Sequence, residues 1–172
     1  WFHVDSIPPA DSATLLDAKE AKHALGSRRL APGDRVMLFD GFGTTAEAVL
    51  TGDRAAGGDL EVEVGTSRRI ASPTPRIELA ASLPKGDRMS TMLDMATQLG
   101  MSAFRPLHCD YSVITTDRKR RDPTDRWHRV MLEACKQSRR AWTPEILEAG
   151  SPAEVVADAQ ARGARVAMGD AH

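Results

Sequence analysis

Two short runs carry the residue types best suited to chemistry on an anionic partner. Lys85-Gly86-Asp87-Arg88-Met89 sets a glycine between cations at the mouth of a helix. Gln137-Ser138-Arg139-Arg140 gathers an amide, a hydroxyl and two guanidinium groups at the end of another. Guanidinium forks and side-chain amides match phosphate oxygens and base edges. A strand-to-helix connection such as the first run lies where open α/β sheets usually bind ligands. Each run also has a plainer explanation. Gly86 can simply make the turn, and arginines at a helix end are favoured by the helix dipole whatever the function. Spacing does not decide between them.

Other candidates narrow the chemistry. Arg118-Lys119-Arg120-Arg121 is the most basic run, and Arg28-Arg29 follows the first helix; solvated loops have the same composition. His23 and His108 lack the carboxylate and nucleophile partners of a triad or zinc site. The Gly-x4-Gly-Lys-Ser/Thr, Gly-x-Ser-x-Gly and Gly-x-Gly-x-x-Gly patterns do not occur. Cys109 and Cys135 form no CxxC, and Cys135 falls on the apolar side of a predicted helix, as a buried reduced thiol would.

The elements that must position these residues fall into two groups, residues 1–72 and 73–172. The first reads as a small, mostly β domain. Asp17-Ala18-Lys19-Glu20 resembles a capping box opening a helix through Leu25. Pro32-Gly33-Asp34 turns into a strand over Arg35–Phe39, Asp40-Gly41-Phe42-Gly43 supplies hairpin chemistry before a strand over Ala46–Leu50, and Leu60–Val64 alternates as a half-wet strand. Ala71-Ser72-Pro73-Thr74-Pro75 is a linker. The second group alternates strands and helices, which predicts a mostly parallel sheet covered on both faces. Ile77–Leu83 is a strand, and Met89, Met92, Leu93, Ala96 and Leu99 recur at helical spacing behind Asp87 as N-cap. Ala103–Leu107 and Ser112–Thr115 are extended. Asp122-Pro123-Thr124-Asp125 opens a helix whose inner face carries Trp127, Val130, Met131, Ala134, Cys135 and Ser138. Ser151-Pro152-Ala153-Glu154 starts a third helix, with Gly163 past its end, and Arg165–Met168 reads as a last strand. Three or four strands without a final layer would leave apolar surface open, so a longer natural protein, or a second chain, is expected.

With 172 residues, 41% apolar and 27% charged, the chain has a globular composition, and its net charge of -1 exerts no global pull on nucleic acid or membrane. The charge is uneven, however: Arg105 to Arg140 holds ten Lys/Arg against five Asp/Glu. One basic region on a neutral protein is compatible with RNA binding. No run approaches the roughly 18 apolar residues of a membrane span and no signal peptide opens the chain, so a cytoplasmic location without a membrane partner is expected.

In order and spacing, these motifs resemble the bacterial 16S ribosomal RNA uridine-N3 methyltransferases (RsmE-like) of the knotted SPOUT superfamily. The resemblance rests on Glu20-x-x-His23, Leu30-x-Pro32-Gly33-Asp34, Asp40-Gly41-x-Gly43, Lys85-Gly86-Asp87-Arg88-Met89, Ala96-Thr97-x-Leu99-Gly100, Pro106, Ser112-Val113, Arg126-Trp127, Glu133-Ala134, Gln137-Ser138, Arg140 and Pro144-Glu145-Ile146. It implies an N-terminal PUA-like β-barrel, then an α/β methyltransferase domain that binds S-adenosylmethionine in a trefoil knot and dimerises. The implied reaction is methyl transfer to N3 of a uridine in 16S ribosomal RNA of the small subunit. Arg28, Arg29, Lys85, Arg88, Gln137, Ser138 and Arg140 are then expected to face RNA. The chain departs from the family pattern at Trp1, at Asp94-Met95, at Gln98, at Asp110-Tyr111 and at Arg139, where the family has glycine. The family's Gly-Pro-Glu-Gly-Gly loop and late Arg-Glu-Thr segment do not occur, so the cofactor site is expected beyond His172 and no general base is named. A relative keeping the barrel and basic face without the knot would be a non-catalytic RNA-binding protein.

Overall fold

The computed structural model describes residues 1–110 and 123–169. Ser112–Thr115 and the basic run Arg118–Arg121 lie outside them. Two sheets organise the chain. The first has five strands in the order β1-β3-β4-β5-β2: β1 Phe2–His3, β2 Ser12–Leu16, β3 Arg35–Phe39, β4 Thr44–Arg54 and β5 Leu60–Arg69. All its pairings are antiparallel except β1 with β3. Alternation along β4 and β5 turns Ala46, Ala48, Leu50, Leu60, Val62 and Val64 into one core with Leu16 and Leu38. Register shifts between Ala46 and Ala48, and again between Leu50 and Arg54, mark bulges in β4, which bend a strand. The sequence reading missed β1 and β2. β1 is too short to show a period, and β2, Ser-Ala-Thr-Leu-Leu, breaks apolar alternation at its Leu-Leu end.

The first helix, α1 Ala18–Lys22, continues as a π-helical turn over His23–Ser27. Asp17 caps it, accepting from the Glu20 amide at 2.8 Å. The expected reciprocal half of the capping box is absent, because the Glu20 carboxylate faces Lys136 instead.

The second sheet is parallel, in the order β6-β7-β8: β6 Glu78–Ser82, β7 Ala103–Leu107 and β8 Glu145–Ile146. Helix α2 Arg88–Leu99 links β6 to β7, and α3 Thr124–Ser138 lies between β7 and β8. Both crossovers step the same way along the sheet, so α2 and α3 pack side by side on one face over Leu79, Phe104 and Ile146. Phe104 meets Trp127 edge to face, with ring centroids 5.8 Å apart. Alternate residues point to the other face. There Arg105 reaches Glu78 at 2.7 Å and Asp158 of α4 Pro152–Ala161 at 2.9 Å, and Arg162 rejoins both acids. The Ser151/Glu154 capping box of α4 is complete.

Two expectations need correction. Asp87 occupies the N-cap of α2 but makes no side-chain cap bond. Its carbonyl accepts from the Thr91 amide at 3.0 Å and its carboxylate stands 3.7 Å from Arg126. Arg165–Met168 is not a strand. Gly163, at φ 69°, turns the chain out of α4, and Val166 and Met168 are 49% and 90% exposed. A strand needs a neighbour to take its backbone hydrogen bonds, and none of the described residues pairs with this segment.

One buried ion pair ties the two halves together. Lys136 Nζ on the last turn of α3 meets Glu20 Oε1 at 2.6 Å, and each side chain is only 6% exposed. Glu133 bridges Lys136 at 3.1 Å and also binds Lys19. Burial pushes the Glu133 carboxyl up, but the bonds from Lys19 and Lys136 outweigh it and hold the group below its ordinary range. Replacing Lys136 with Met leaves Glu20 charged and buried, so urea unfolding should show a loss of about 3–5 kcal/mol. The double variant Glu20→Leu/Lys136→Met should recover most of it. A single variant within about 1 kcal/mol of the parent would show that water already reaches this pair.

Candidate nucleic-acid interface

The parallel α2–α3 pair separates the residues that the sequence grouped. Arg126, in the first turn of α3, bonds Ser90 at 3.3 Å near the start of α2. At the other end, the Arg140 guanidinium lies beside Gly100, the left-handed C-cap of α2. Lys85 and Arg88 therefore sit at one end of the pair, and Gln137, Ser138 and Arg140 at the other. With 12 residues in α2, the ends stand about 18 Å apart. There are two clusters instead of one.

The first lies at the carboxyl edge of the parallel sheet. β6 ends at Ser82, and the chain turns through Gly86, at φ 63°, into α2. Lys85 and Arg88 are exposed there. An open groove of about 640 Å³ runs between the helices, lined by Ser90, Thr91, Asp94, Arg126, Arg129 and Glu133 among others. Two guanidinium groups and two hydroxyls suit an anion, with the acids limiting its extent. They do not suit the positive sulfonium of S-adenosylmethionine, and no described residue is assigned to that cofactor. Among the described residues no group of His, Cys, Asp or Glu could hold a metal ion.

The second cluster lies where the two sheets meet. Gln137 is exposed, but the Ser138 hydroxyl donates to the Ala134 carbonyl at 2.7 Å and so serves its own helix. Arg140 is half-buried, and its Nε has no hydrogen-bond partner among the described residues. Arg28 and Arg29 follow the π-helical turn, both exposed, with Arg29 at φ 54°. α1 docks on the last turn of α3 through Glu20 and Lys136, which brings this arginine pair to the same end of the molecule as Arg140. Beyond α3, residues 141–143 run antiparallel to the β3–β4 turn. Gly43 donates to the Ala141 carbonyl at 2.9 Å and Thr143 to the Gly41 carbonyl at 2.8 Å. Trp142 donates from Nε1 to the carbonyls of Ile70 and Ala71, both at 3.1 Å, and lies under the Arg69 guanidinium. Gly43 has φ 95°, and a Cβ there would overlap the Trp142 indole.

Sequence reasoning assigned Asp40-Gly41-Phe42-Gly43 to a hairpin and missed its second role as the platform for Trp142. Lys136 also went unnoticed, since a lysine on a predicted helix ordinarily reads as solvated. The paired glycines were the available signal.

Comparison with known proteins supplies the remaining observations. The profile of the RNA methyltransferase domain matches residues 71–171, and that of the RNA methyltransferase PUA domain matches residues 16–56. Ribosomal RNA small subunit methyltransferase E of Mycobacterium bovis is 32% identical over 146 residues, covering 84% of this chain and 55% of its own length. Its Bacillus subtilis counterpart is 26% identical over 137 residues, 79% of this chain and 53% of its own length. The chain spans about half the length of these curated relatives. In the solved structures, ribosomal RNA small subunit methyltransferase E from Neisseria gonorrhoeae, bound to S-adenosyl methionine, matches with a TM-score of 0.76 at 26% identity, over 90% of this chain and 64% of that one. The PUA-like domain followed by a SPOUT α/β domain is thus the observed architecture.

Cys135 takes no part in this surface. Burial pushes its thiol up to about 11, against the smaller opposing effects of Thr143 and Arg140. The folded chain thus keeps the proton through a range in which the unfolded chain, with a thiol pKa near about 8.5, loses it. Its contribution to stability is full below the ordinary thiol pKa and is lost as pH rises toward 11. Iodoacetamide at about pH 8 should label Cys109 rapidly and Cys135 only on unfolding. Equal labelling rates in the native protein would contradict this burial.

Proposed function

The chain belongs to the RNA methyltransferase family, and from that membership we propose that it is part of an S-adenosylmethionine-dependent enzyme that methylates N3 of a uridine in 16S ribosomal RNA. The observation that supports the reading is the tandem match: a PUA domain over residues 16–56 and a methyltransferase domain over residues 71–171 in one chain, which is similar to relatives named ribosomal RNA small subunit methyltransferase E. In this reading residues 1–72 hold RNA, and residues 73–172 begin the catalytic domain. The sulfonium methyl is already activated, so the enzyme must align it with N3 and remove the N3 proton, which is chiefly positioning and electrostatics. The base must also be unpaired or displaced, because N3 is otherwise held in a base pair.

The split of the basic residues suits a long ligand. Lys85 and Arg88 would grip phosphates near the sheet edge, where chemistry belongs in α/β folds, while Arg28, Arg29, Gln137 and Arg140 would hold RNA about 18 Å away. Ser138 donates its hydroxyl to its own helix, so it would meet RNA only as an acceptor. We further propose a cytoplasmic homodimer acting on the small ribosomal subunit. Exposed Met95 and Leu99, one turn apart on α2, offer apolar surface for the partner subunit.

Incubating the full-length protein with 16S ribosomal RNA and labelled S-adenosylmethionine should place one methyl on a uridine N3, seen as a stop in reverse transcription. Arg88→Ala should weaken RNA binding and lower the slope of log affinity against log salt by about 1. RNA binding without methyl transfer would turn the reading toward a non-catalytic RNA-binding relative. Methylation at another atom, or a chain that ignores RNA, would sink it.

A further inference from the structure

Phe42 stands at the tip of the β3–β4 turn, 67% exposed, between the buried glycines Gly41 and Gly43. The backbone that carries it is tied on every side. Asp40 Oδ1 accepts from the amide of Phe42 at 2.7 Å and from that of Thr44 at 2.9 Å. The Gly41 carbonyl and the Gly43 amide are taken by Thr143 and Ala141, and the Gly43 carbonyl accepts from Ile70 at 2.7 Å. A large apolar ring is thus held out in solvent on a backbone already ordered, which lowers the entropy lost when a partner binds it.

Two arginines stand beside this turn. Phe42 opposes Trp142 as a non-hydrogen-bonded antiparallel pair, which sets their Cα atoms about 4.5 Å apart. The Arg69 guanidinium lies 4.9 Å from the centre of the Trp142 ring and donates to Thr44 Oγ1 at 3.0 Å. Arg68 donates from Nε to Thr45 Oγ1 at 3.3 Å. Both arginines are exposed and both hydroxyl partners are neutral. Neither guanidinium meets a carboxylate among the described residues. Asp40 is the turn's own acid, and it is shared between two backbone amides. The surface therefore keeps net positive charge next to an exposed aromatic ring.

We propose that the Asp40–Thr44 turn is a stacking platform for single-stranded RNA, in which the Phe42 ring takes one unpaired base and Arg69, set over Trp142, takes the adjacent phosphate. The proposal rests on the RNA-binding reading and names a base contact within it. Cations alone grip any polyanion, whereas an exposed ring selects a base whose face is open. The reaction makes the same demand, since N3 must leave its base pair. An extended peptide fits less well, because it would need free amides and carbonyls to pair with. Here the amides of residues 42–44 and both glycine carbonyls are already bonded within the chain.

The test titrates the full-length protein with a short oligouridine carrying one 2-aminopurine, and with a duplex of the same length, across a salt series. Stacking on Phe42 should quench the 2-aminopurine. Phe42→Ala should weaken single-strand binding about tenfold and leave the salt slope unchanged, because the lost contact carries no charge. Its Tm should stay within about 2 °C of the parent, as expected for an exposed side chain. Phe42→Trp should restore affinity and quenching; Phe42→Leu, apolar but without a flat face, should restore neither. Arg69→Ala should instead lower the salt slope by about 1. If the parent binds the single strand and Phe42→Ala keeps its affinity, the platform is overturned and the RNA reading stands. Equal losses on single strand and duplex would overturn stacking as well. A changed subunit assembly in Phe42→Ala with RNA affinity intact would give the ring to a protein contact instead. If the parent binds neither RNA, the RNA reading fails and the platform with it.

Discussion

The buried contact between Glu20 and Lys136 is the constraint on which the rest of the arrangement depends. Each charge has lost most of its water, so neither tolerates separation from the other. α1 is only five residues long and would be marginal alone, yet its Glu20 is committed to α3 rather than to its own cap. That choice fixes α1, the π-helical turn and Arg28 to the last turn of the long helix. Lys19 and Glu133 extend the contact to the surface, where solvent screening makes their share small. Pairs of this kind favour one geometry over its neighbours more than they add to total stability.

Parallel topology imposes the second constraint. Right-handed crossovers set α2 and α3 on one face of the β6-β7-β8 sheet with their starts together and their ends together. Residues opening α2 and residues closing α3 must then lie a full helix apart, however well their chemistry matches. The exposed cations therefore fall into two separate basic regions, one at the carboxyl edge of the sheet and one at the domain junction. On the opposite face, Arg105 shares Glu78 and Asp158 with Arg162, which anchors α4 without another apolar layer.

Elements with a strong period were legible in the sequence. The alternation at Leu60–Val64, the helical recurrence from Met89 to Leu99 and the Ser151/Glu154 box all have local causes. What could not be read has non-local causes. β8 is two residues long and exists because β7 offers it a parallel neighbour. Arg165–Met168 has strand-forming residues but no such neighbour among the described ones. The runs at Lys85–Arg88 and Gln137–Arg140 were recognisable as site material, but only topology shows that they are distant. Glu20 looked like a cap because it stands three positions after Asp17, and nothing local reveals that Lys136, far along the chain, competes for it.

The contact between Gly43 and Trp142 has a consequence for engineering this chain. The indole fills the space that a side chain at the turn would need, and bonds the strand end at Ile70 and Ala71. The β3–β4 turn and the segment after α3 are therefore one joint shared by two domains. A side chain at position 43 would have to displace the indole, and loss of the indole would leave the turn and the carbonyls of Ile70 and Ala71 without their partner. A working chimera of the two domains must therefore carry the turn glycine and the tryptophan together.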